Sequence, residues 1–581
     1  MLDLAPFETI KPAPRAIFDR LAERRARVRF LIPDGDDWRA VTYGRYARTI
    51  RRLASFLAAA GFEPGERGAI FASNSVEWIT SAMAIQSAGG VMVPIYPAST
   101  AAQAGYVARH SDAAVVFVDG KELLSRVVSS FADYAAVKRF VLFDEKLDVA
   151  ALLKDLRDKG KDVPSLEDVE ARLVRLSAAL VRGAAHDEEN PRAFDDRLLS
   201  IGLERQALML YTSGTTGNPK GVPLTHSNVG HNGLDWLKCF APLLEEDAYV
   251  DVLWLPMSHI FGFGEATIGD ALGFTTYLSD PATVLSRLPE VRPDVFFSVP
   301  AYWEKLATQA MGESDPARQR QRLAELTGGR FKFCLSGGAG LKREVKEFFY
   351  RHGQLILEGY GLSECSPTLT LNRPKEFRFD AVGKPLPSVE LKLDDDGEIL
   401  ARGPNVFGGY HKDDEATRGC FNDDGWFKTG DVGRFTEDGF LQIIDRKKEI
   451  LVTAGGKNVP PANIELRFAD EPLVAHAVVY GDGRKFLVAG LWLDHEAVDR
   501  RLAAENIPND KHAETTRAWI AKAVERVNGE LASFEQIKKF AIIPTPLTVA
   551  GGHLTSTLKV RRKQVWAAFR AELDALYEAA P

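Results

Sequence analysis

The sequence has little cysteine and no long apolar run. Among 581 residues there are four cysteines, and their spacing matches neither a metal site nor a disulfide framework. This scarcity predicts a reducing compartment. No apolar stretch approaches the roughly 20 residues that span a bilayer, and the N-terminus lacks the basic and apolar regions of a secretory signal. We therefore expect a cytoplasmic protein. The cysteines are Cys239, Cys334, Cys365 and Cys420.

An excess of basic charge is also missing. The 73 basic and 80 acidic side chains give a net charge of −7, which argues against nucleic acid as a partner. One local exception is the basic segment 15–29, in which Ile17, Phe18 and Leu21 have the spacing of one helical face. A solvated first helix is the favoured interpretation. The alternative is peripheral contact with anionic lipid at the inner face of a membrane.

The pattern of apolar segments indicates the fold class. Short apolar runs alternate with helical segments at 67–145 and again after residue 207, which is typical of parallel strands covered by helices. From about 389 to 445, short strands with turns such as DDGE predict an antiparallel or barrel-like section. A smaller segment with helices and strands follows Asp445. We predict an α/β fold with a large N-terminal domain over 1–445, made of doubly wound mixed sheets plus a small barrel-like section. A small α+β C-terminal domain over 446–581 would follow it.

The segment 211–225, YTSGTTGNPKGVPLT, has the composition of a phosphate-binding loop. Its hydroxyls donate hydrogen bonds, its glycines let the backbone approach closely, and Lys220 supplies a positive charge. It is not a Walker loop, because that pattern places the lysine directly between glycine and Ser or Thr. The alternative is an ordinary turn after an apolar strand. The candidate nucleotide-binding residues here are Thr212, Ser213, Gly214, Thr215, Thr216 and Lys220.

Further motifs follow in the order GYGLSE at 359–364, KTGD at 428–431, DRKKE at 445–449 and STLKVRRK at 556–563. With the loop, they resemble the adenylate-forming superfamily of acyl-CoA synthetases, luciferases and nonribosomal adenylation domains. The similarity extends over nearly the whole chain. Long-chain acyl-CoA synthetases are the best-matching subgroup, through LPMSHIFG at 255–262, FFSVPAYWEK at 296–305 and VTAGGKNVPPANIE at 452–465. Ser556 is a departure, since that subgroup usually has proline there.

The resemblance implies a reaction in two steps. A carboxylate attacks the α-phosphate of Mg-ATP to give an acyl-adenylate and pyrophosphate, and the thiol of coenzyme A then displaces AMP. Fatty acid, ATP and coenzyme A are the implied partners, with Mg²⁺ as cofactor and a monomer or homodimer as the assembly. The small C-terminal domain is implied to be mobile. It would swing about Asp445 between the two steps.

The resemblance also implies roles for individual residues. Catalytic roles fall on Lys559, Glu364 and His259, and metal binding on Thr216 and Glu364. Further ATP contacts fall on Gly338, Ala339, Tyr360, Gly361, Ser363, Asp431 and Arg446, and coenzyme A contacts on Gly455 and Gly456. Each residue type also has a plainer explanation: a solvated lysine, a packed tyrosine, a glycine turn, a surface Asp–Arg pair or a structural histidine.

The acyl site is expected near the helix at 261–273. There Gly269 and Gly273 lie one turn apart, which predicts either a groove for an alkyl chain or close helix packing. Several functions remain open at this point. They are a long-chain fatty acid CoA ligase, a ligase for medium-chain, aryl or alicyclic acids, an acyl-AMP ligase that loads a separate carrier protein, a non-catalytic adenylate- or acyl-CoA-binding protein and a luciferase-like oxygenase.

Overall fold

The computed structural model describes residues 2–212, 218–455, 457–468, 471–555 and 560–578. The chain forms two compact units. The first contains Met1–Leu391 and Ala401–Phe427, and the second contains Lys392–Leu400 and Lys428–Pro581. The boundary that we predicted between Asp445 and Arg446 stays a prediction.

The first unit contains two mixed sheets. In one of them the strands are parallel except for an antiparallel hairpin at one edge, Gln206–Thr212 with Lys220–Thr225. The branched and small side chains of its inner strands are buried on both faces, as expected where helices cover both sides of a sheet. The order of the strands is Leu173–Arg175, Arg139–Leu142, Ala113–Val118, Arg67–Phe71, Val91–Ile95, Gln206–Thr212 and Lys220–Thr225.

The other sheet has a parallel centre and antiparallel strands at both edges. The carboxyl ends of its parallel strands meet at one edge, where α/β proteins hold their ligands. The order of its strands is Lys384–Pro385, Thr368–Leu371, Ile356–Gly361, Phe333–Ser336, Val295–Ser298, Val250–Leu253, Thr275–Leu278, Val28–Asp34 and Asp37–Thr42.

Side-chain caps begin several helices of this unit. Thr225 and Asn228 form a reciprocal capping box at the start of helix His226–Phe240, and Ser75 accepts a hydrogen bond from the backbone N–H of Trp78. The helices of five or more residues in this unit are Tyr43–Ala59, Val76–Ser87, Ala101–His110, Gly120–Val128, Val149–Asp158, Leu166–Glu170, Leu176–Glu189, Ala193–Leu199, His226–Phe240, Ile260–Leu272, Val284–Val291, Pro300–Met311, Pro316–Thr327, Arg343–Arg351 and Asp414–Cys420.

The basic segment 15–29 differs from the predicted single helix. It forms the short helices Arg15–Phe18 and Leu21–Arg24 and then enters the strand Val28–Asp34. Arg24 and Arg29 are buried, at 1% and 0% exposure, and each pairs with an aspartate. These two arginines therefore serve internal ion pairs rather than a solvated or lipid-facing surface, because burial of a guanidinium requires a compensating charge.

The second unit is α+β. Its sheet of Val474–Tyr480, Leu487–Leu493 and Ile537–Ile542 pairs the first two strands antiparallel and the last two parallel. A short antiparallel ladder joins Leu451–Val452 to Asn458–Val459. The predicted section at 389–445 forms a sheet in the order Glu390–Leu393, Glu398–Arg402, Phe427–Phe435 and Leu441–Arg446. The helices are Pro461–Phe468, His495–Ala504, His512–Gly529, Arg562–Ala568 and Arg570–Glu578.

The predicted fold class is confirmed: mixed doubly wound sheets in a large N-terminal part and a smaller α+β part after it. The movement of that smaller part stays a prediction. Among the described residues, no helix combines the length and apolar character needed to cross a membrane.

Candidate active site

The predicted phosphate loop connects the two strands of the edge hairpin. Thr212 is the last residue of the first strand and pairs with Lys220, the first residue of the second. The hairpin therefore fixes both ends of the loop and brings Lys220 back beside Thr212. Ser213, Gly214, Thr215 and Thr216 lie outside the described residues.

Lys220 and Glu364 are brought together through Tyr410. The phenol of Tyr410 donates a hydrogen bond to Glu364 Oε1 at 2.9 Å. The Lys220 ammonium lies over the ring of Tyr410, 4.8 Å from its centroid, and 3.8 Å from Asp413 Oδ2. Burial, with Glu364 close by, raises the pKa of Tyr410 above its ordinary value, so the phenol keeps its proton and remains a donor.

The segment that carries Tyr410 is fixed by buried amides and backbone contacts. Asn405 donates to the carbonyls of Cys365 and Thr368, both at 2.9 Å, and thereby ties this segment to the turn that contains Glu364. The N–H of Phe407 donates to the Glu364 carbonyl at 2.8 Å. These bonds hold the backbone of Glu364 and the approach to Tyr410 in one arrangement, since buried loop backbone needs such partners.

The two segments expected to contact adenine also lie side by side. Ser336 pairs with Glu358 in parallel register, so Gly338 and Ala339 follow one strand where Tyr360 and Gly361 continue the next. Gly338 has a φ of +83°, in the left-handed region that favours glycine. A Cβ on Gly361 would lie 1.8 Å from the Pro367 carbonyl oxygen, so only glycine permits this backbone pairing.

Ser363 begins the short helical turn that also contains Glu364, and Glu364 is buried with 9% of its surface exposed.

A buried ion pair supports the loop at 337–340. Glu358 accepts a hydrogen bond from the backbone N–H of Leu341 at 2.7 Å and pairs with the ammonium of Lys346. Their side chains are only 3% and 5% exposed. Gly337 at the other end donates to the Ser298 carbonyl at 3.2 Å. The loop is therefore fixed at both ends, and its C-terminal support comes from the strand that leads to Tyr360.

His259 caps a helix. Its Nδ1 accepts a hydrogen bond from the N–H of Phe261 at 3.2 Å, at the start of helix Ile260–Leu272. A structural role is thus evident, and the catalytic role stays a prediction. Before it, Asn74 accepts from the N–H of Met257 at 2.9 Å and donates to the Leu255 carbonyl at 2.8 Å, which fixes the segment leading to His259.

Gly269 and Gly273, at the C-terminal end of that helix, face arginines. A Cβ on Gly269 would lie 2.8 Å from the Arg29 guanidinium, and one on Gly273 would lie 2.9 Å from Arg24. The prediction of an alkyl groove along these two glycines is therefore wrong. The glycines instead allow close packing of the helix against the arginine side chains. Gly264, on another side of the helix, is half-buried, and its added Cβ would meet no described atom within 4 Å.

In the second unit, Asp431 and Arg446 are cross-strand partners. Asp431 pairs with Arg446 in the antiparallel register, and Arg446 Nε lies 3.3 Å from Asp431 Oδ1. The arginine is 57% exposed and the aspartate 7%. Most of the ion pair's attraction is therefore screened by water, and the exposed guanidinium remains accessible to a ligand.

Asp445 belongs to a buried network around Arg562. One Asp445 carboxylate oxygen accepts from the N–H of Arg446 at 2.6 Å and the other from the N–H of Ala462 at 2.8 Å. Arg562 Nη1 lies 3.9 Å from Asp445 Oδ1, and Arg562 Nη2 lies 2.7 Å from Glu465 Oε2. The same guanidinium also pairs with Glu449. This network joins the predicted hinge residue to the start of helix Arg562–Ala568.

Gly455 lies in the turn between the strands Leu451–Val452 and Asn458–Val459, and the nearest described atom to an added Cβ would be Thr453 Oγ1 at 3.9 Å. A Cβ would therefore not clash with the described residues, and the coenzyme A contact of Gly455 stays a prediction. Gly456 and Lys559 lie outside the described residues.

Tyr410, Asn405 and Glu358 were not singled out from the sequence. Tyr410 follows Gly408 and Gly409 in GGYHKDD, so an aromatic residue after a glycine pair was the available signal. A Cβ on Gly409 would meet the Thr417 side chain at 2.5 Å, which explains that glycine. Glu358 precedes GYGLSE directly, and a charged residue in an otherwise apolar strand signals a buried partner.

These features define a two-unit α/β protein whose larger unit gathers a lysine, a tyrosine and a glutamate, with the lysine in the hairpin that flanks a hydroxyl-rich segment. Comparisons with known proteins agree with this class. Residues 18–411 match the family described as AMP-binding enzyme, and residues 448–581 match the AMP-binding enzyme C-terminal domain. The chain belongs to the AMP-binding enzyme family.

Relatives and solved structures are similar along almost the whole chain. A protein named long-chain-fatty-acid–CoA ligase FadD15 from Mycobacterium bovis is 33% identical, over 93% of this chain and 92% of its own length. A protein named long-chain-fatty-acid–CoA ligase ACSBG1 from Rattus norvegicus is 28% identical, over 94% of this chain and 82% of its own length. Among solved structures, the fold is similar to that of the A domain of a carboxylic acid reductase from Segniliparus rugosus, solved with AMP and a co-purified carboxylic acid. The TM-score is 0.78 at 22% identity, over 98% of this chain and 94% of that chain.

Proposed function

We propose that this protein is an AMP-forming acyl-CoA ligase that activates a fatty acid, with long-chain acids as its substrates. The observation that carries the proposal is the cluster of Lys220, Tyr410 and Glu364. The 33% identity to a protein named long-chain-fatty-acid–CoA ligase supports both the activity and the substrate class.

In the first step, an oxygen of the fatty acid carboxylate forms a bond to the α-phosphorus of ATP, and the bond to pyrophosphate breaks with its electron pair. Two anions have to meet, so the site must offset their repulsion. Lys220 supplies a positive charge for the phosphates, and the hydroxyls from Thr212 to Thr216 supply donors. Lys559 is assigned the contact with the carboxylate and the α-phosphate. His259 shapes the carboxylate side, with Nδ1 engaged in the helix cap.

Glu364 fits a Mg²⁺ site by its chemistry. It offers a hard carboxylate oxygen, which Mg²⁺ prefers, and the Tyr410 bond engages only Oε1. Thr216 is the second assigned ligand. When bound, the ion would neutralise phosphate charge, and the protein's part is to hold the carboxylate in a fixed orientation.

The remaining nucleotide contacts are assigned to residues of the family's motifs. Gly338, Ala339, Tyr360, Gly361 and Ser363 are assigned to adenine and its surroundings. Asp431 is assigned to accept hydrogen bonds from the ribose hydroxyls, and Arg446, which is largely exposed, to contact ribose or phosphate.

In the second step, the thiol sulfur of coenzyme A bonds to the acyl carbon, AMP leaves with the electron pair of the broken C–O bond, and the thiol proton passes to solvent. Gly455 and Gly456 are assigned to the pantetheine arm. Movement of the C-terminal domain about Asp445 would exchange Lys559 for this loop at the site.

A path for the acyl chain is proposed along Phe261, Gly264 and Ile268. These residues have i, i+3 and i+7 spacing on helix Ile260–Leu272 and are half-buried, unlike Gly269. Space beside Gly264 supports this path, since its added Cβ would meet no described atom within 4 Å.

The test is release of pyrophosphate and AMP from Mg-ATP with fatty acids of graded length, with and without coenzyme A. We expect AMP release to require coenzyme A and to peak with long chains. Lys559→Ala should abolish pyrophosphate release, whereas Lys563→Ala, at an exposed lysine of the same basic run, should not.

Other results would replace the proposal. Pyrophosphate release that coenzyme A does not affect would favour an acyl-AMP ligase that loads a carrier protein. A peak with medium-chain or aryl acids would retain the ligase and change its substrate class. Absence of both products with every acid would favour a binding protein without catalysis.

A further inference from the structure

We propose that Tyr410 is a positioning residue that holds the Glu364 carboxylate and the Lys220 ammonium in place for a metal–nucleotide complex; this inference rests on the proposed function. The phenol orients the glutamate, and the ring supports the lysine. Tyr410 would thus contact both charged groups that a magnesium triphosphate requires: the Glu364 carboxylate for the metal and the Lys220 ammonium for the phosphates.

The hydroxyl acts on Glu364. Its hydrogen bond to Oε1 at 2.9 Å joins a neutral donor to a carboxylate, which is stronger than a bond between neutral groups. Glu364 is buried, and its backbone carbonyl is held by Phe407. The side chain therefore has little freedom once Oε1 is bonded, and Oε2 is the oxygen left for a cation.

The ring acts on Lys220. The ammonium lies 4.8 Å from the ring centroid, within the range of a cation–π contact, and Asp413 lies 3.8 Å away. The Lys220 side chain is 40% exposed, so water weakens the contact with Asp413. The ring face gives the lysine a support that does not consume its hydrogen-bond donors, which remain available for phosphate.

Tyr410 is itself held firmly. Its N–H donates to Thr417 Oγ1 at 2.9 Å, and its ring packs edge-on against Phe407 at 4.9 Å between centroids. The next N–H, of His411, donates to the Gly221 carbonyl at 2.9 Å, directly beside Lys220 in the hairpin. Tyr410 is thus attached to both segments whose side chains it contacts. The side-chain contact that a tyrosine serving only to fill space would not make is the hydrogen bond from its hydroxyl to Glu364.

Two substitutions separate the roles of the hydroxyl and the ring. Tyr410→Phe removes the bond to Glu364 and keeps the ring under Lys220, whereas Tyr410→Leu removes both. Binding of Mn²⁺ is measured by electron paramagnetic resonance with saturating α,β-methylene-ATP, and binding of this analogue without metal is measured by calorimetry. Neither readout needs turnover.

For Tyr410→Phe we expect about tenfold weaker Mn²⁺ binding, as for loss of a hydrogen bond to a charged group. Binding of the analogue without metal should be unchanged. For Tyr410→Leu we expect the same loss of Mn²⁺ affinity and, in addition, roughly two- to fivefold weaker metal-free binding, because the lysine loses its support.

The matched control is Tyr480→Phe, which removes a similar tyrosine–carboxylate bond, 3.0 Å long, to Asp574 in the second unit. It should leave both affinities unchanged. Melting temperatures without ligand establish that each variant is folded, and if Tyr410→Leu does not fold, Tyr410→Phe alone decides.

Mn²⁺ binding by Tyr410→Phe at wild-type affinity would overturn the inference, as would an equal loss in Tyr480→Phe. Failure of the proposed function has a different signature, because the wild-type protein would then bind neither the analogue nor the metal.

Discussion

The buried pair Lys346–Glu358 allows a quantitative test of how the nucleotide site is supported. In Lys346→Met the ammonium is lost and the Glu358 carboxylate is left without its cation, at 3% exposure. Removal of one partner of a buried ion pair costs about 3–5 kcal/mol, since the remaining charge is not solvated. For a unit of about 420 residues, an unfolding entropy near 2.1 cal/mol/K per residue converts this to a fall in Tm of roughly 3–6 °C.

The double variant Lys346→Met/Glu358→Gln supplies the decisive comparison. The glutamine amide that replaces the Glu358 carboxylate would still accept the hydrogen bond from the Leu341 N–H while no buried charge remains, so most of the lost stability should return. Glu358→Gln alone strands the Lys346 charge and should be as damaging as Lys346→Met. The melting temperature of the four proteins, measured by calorimetry, gives the coupling between the two sites.

The control is Arg343→Met on the same helix. It breaks an exposed pair with Glu347, whose side chains are 66% and 38% exposed, and should leave Tm unchanged. The KM for ATP should also rise in Lys346→Met, because Glu358 supports the loop at 337–340. Additive losses in the double variant, or an equal fall for Arg343→Met, would refute this reasoning.

Three further predictions concern other positions. Gly183→Ala should lower Tm, at a cost of about 1–3 kcal/mol, because its Cβ would lie 1.8 Å from the Arg52 carbonyl oxygen. Gly233→Ala, whose Cβ would meet no described atom within 4 Å, should instead raise stability by about 0.5–1 kcal/mol, and equal shifts of the two variants in calorimetry would contradict this. Burial raises the pKa of Glu265 well above its unfolded value of about 4.3, with Asp251 raising it further and Arg29 lowering it. Folding therefore takes up a proton, and stability falls as pH rises above about 4.3. The gain in Tm from Glu265→Leu should be larger at pH 8 than at pH 5, and a gain that does not depend on pH would contradict this. Gly264→Leu should shift the preferred acid toward shorter chains in the AMP-release assay, and an unchanged chain-length profile would remove the proposed acyl path.

Local patterns were sufficient to predict much of the fold. The alternation of apolar runs at 67–145 predicts parallel strands, and the structure has them at Arg67–Phe71, Val91–Ile95 and Ala113–Val118. A phosphate loop at 211–225 could be proposed because composition and position after a strand suffice for that prediction, and its role stays a prediction. Such features depend on neighbours in sequence, where residue type and spacing carry the information.

Contacts between distant segments were not predictable in the same way. Tyr410 is separated by 46 residues from Glu364, and nothing near it in sequence names its partner. The basic segment 15–29 was mispredicted for the same reason. Its many arginines predict a solvated helix, whereas Arg29 is buried against Asp270, a residue far away in sequence. Gly269 was ambiguous for the same reason: its neighbour Arg29 lies on a strand far away in sequence.

The way in which this site is held together explains why motifs alone describe it incompletely. Buried backbone groups around this site that no helix or strand ladder satisfies need other partners. Asparagine supplies these here: Asn74 holds 255–257, Asn228 holds the carbonyls of Pro404 and Val406, and Asn405 holds those of Cys365 and Thr368. An amide both donates and accepts without adding charge. Charged side chains are thereby left for substrates, and a loss of one of these amides should displace Glu364 or the segment before His259 without touching either side chain.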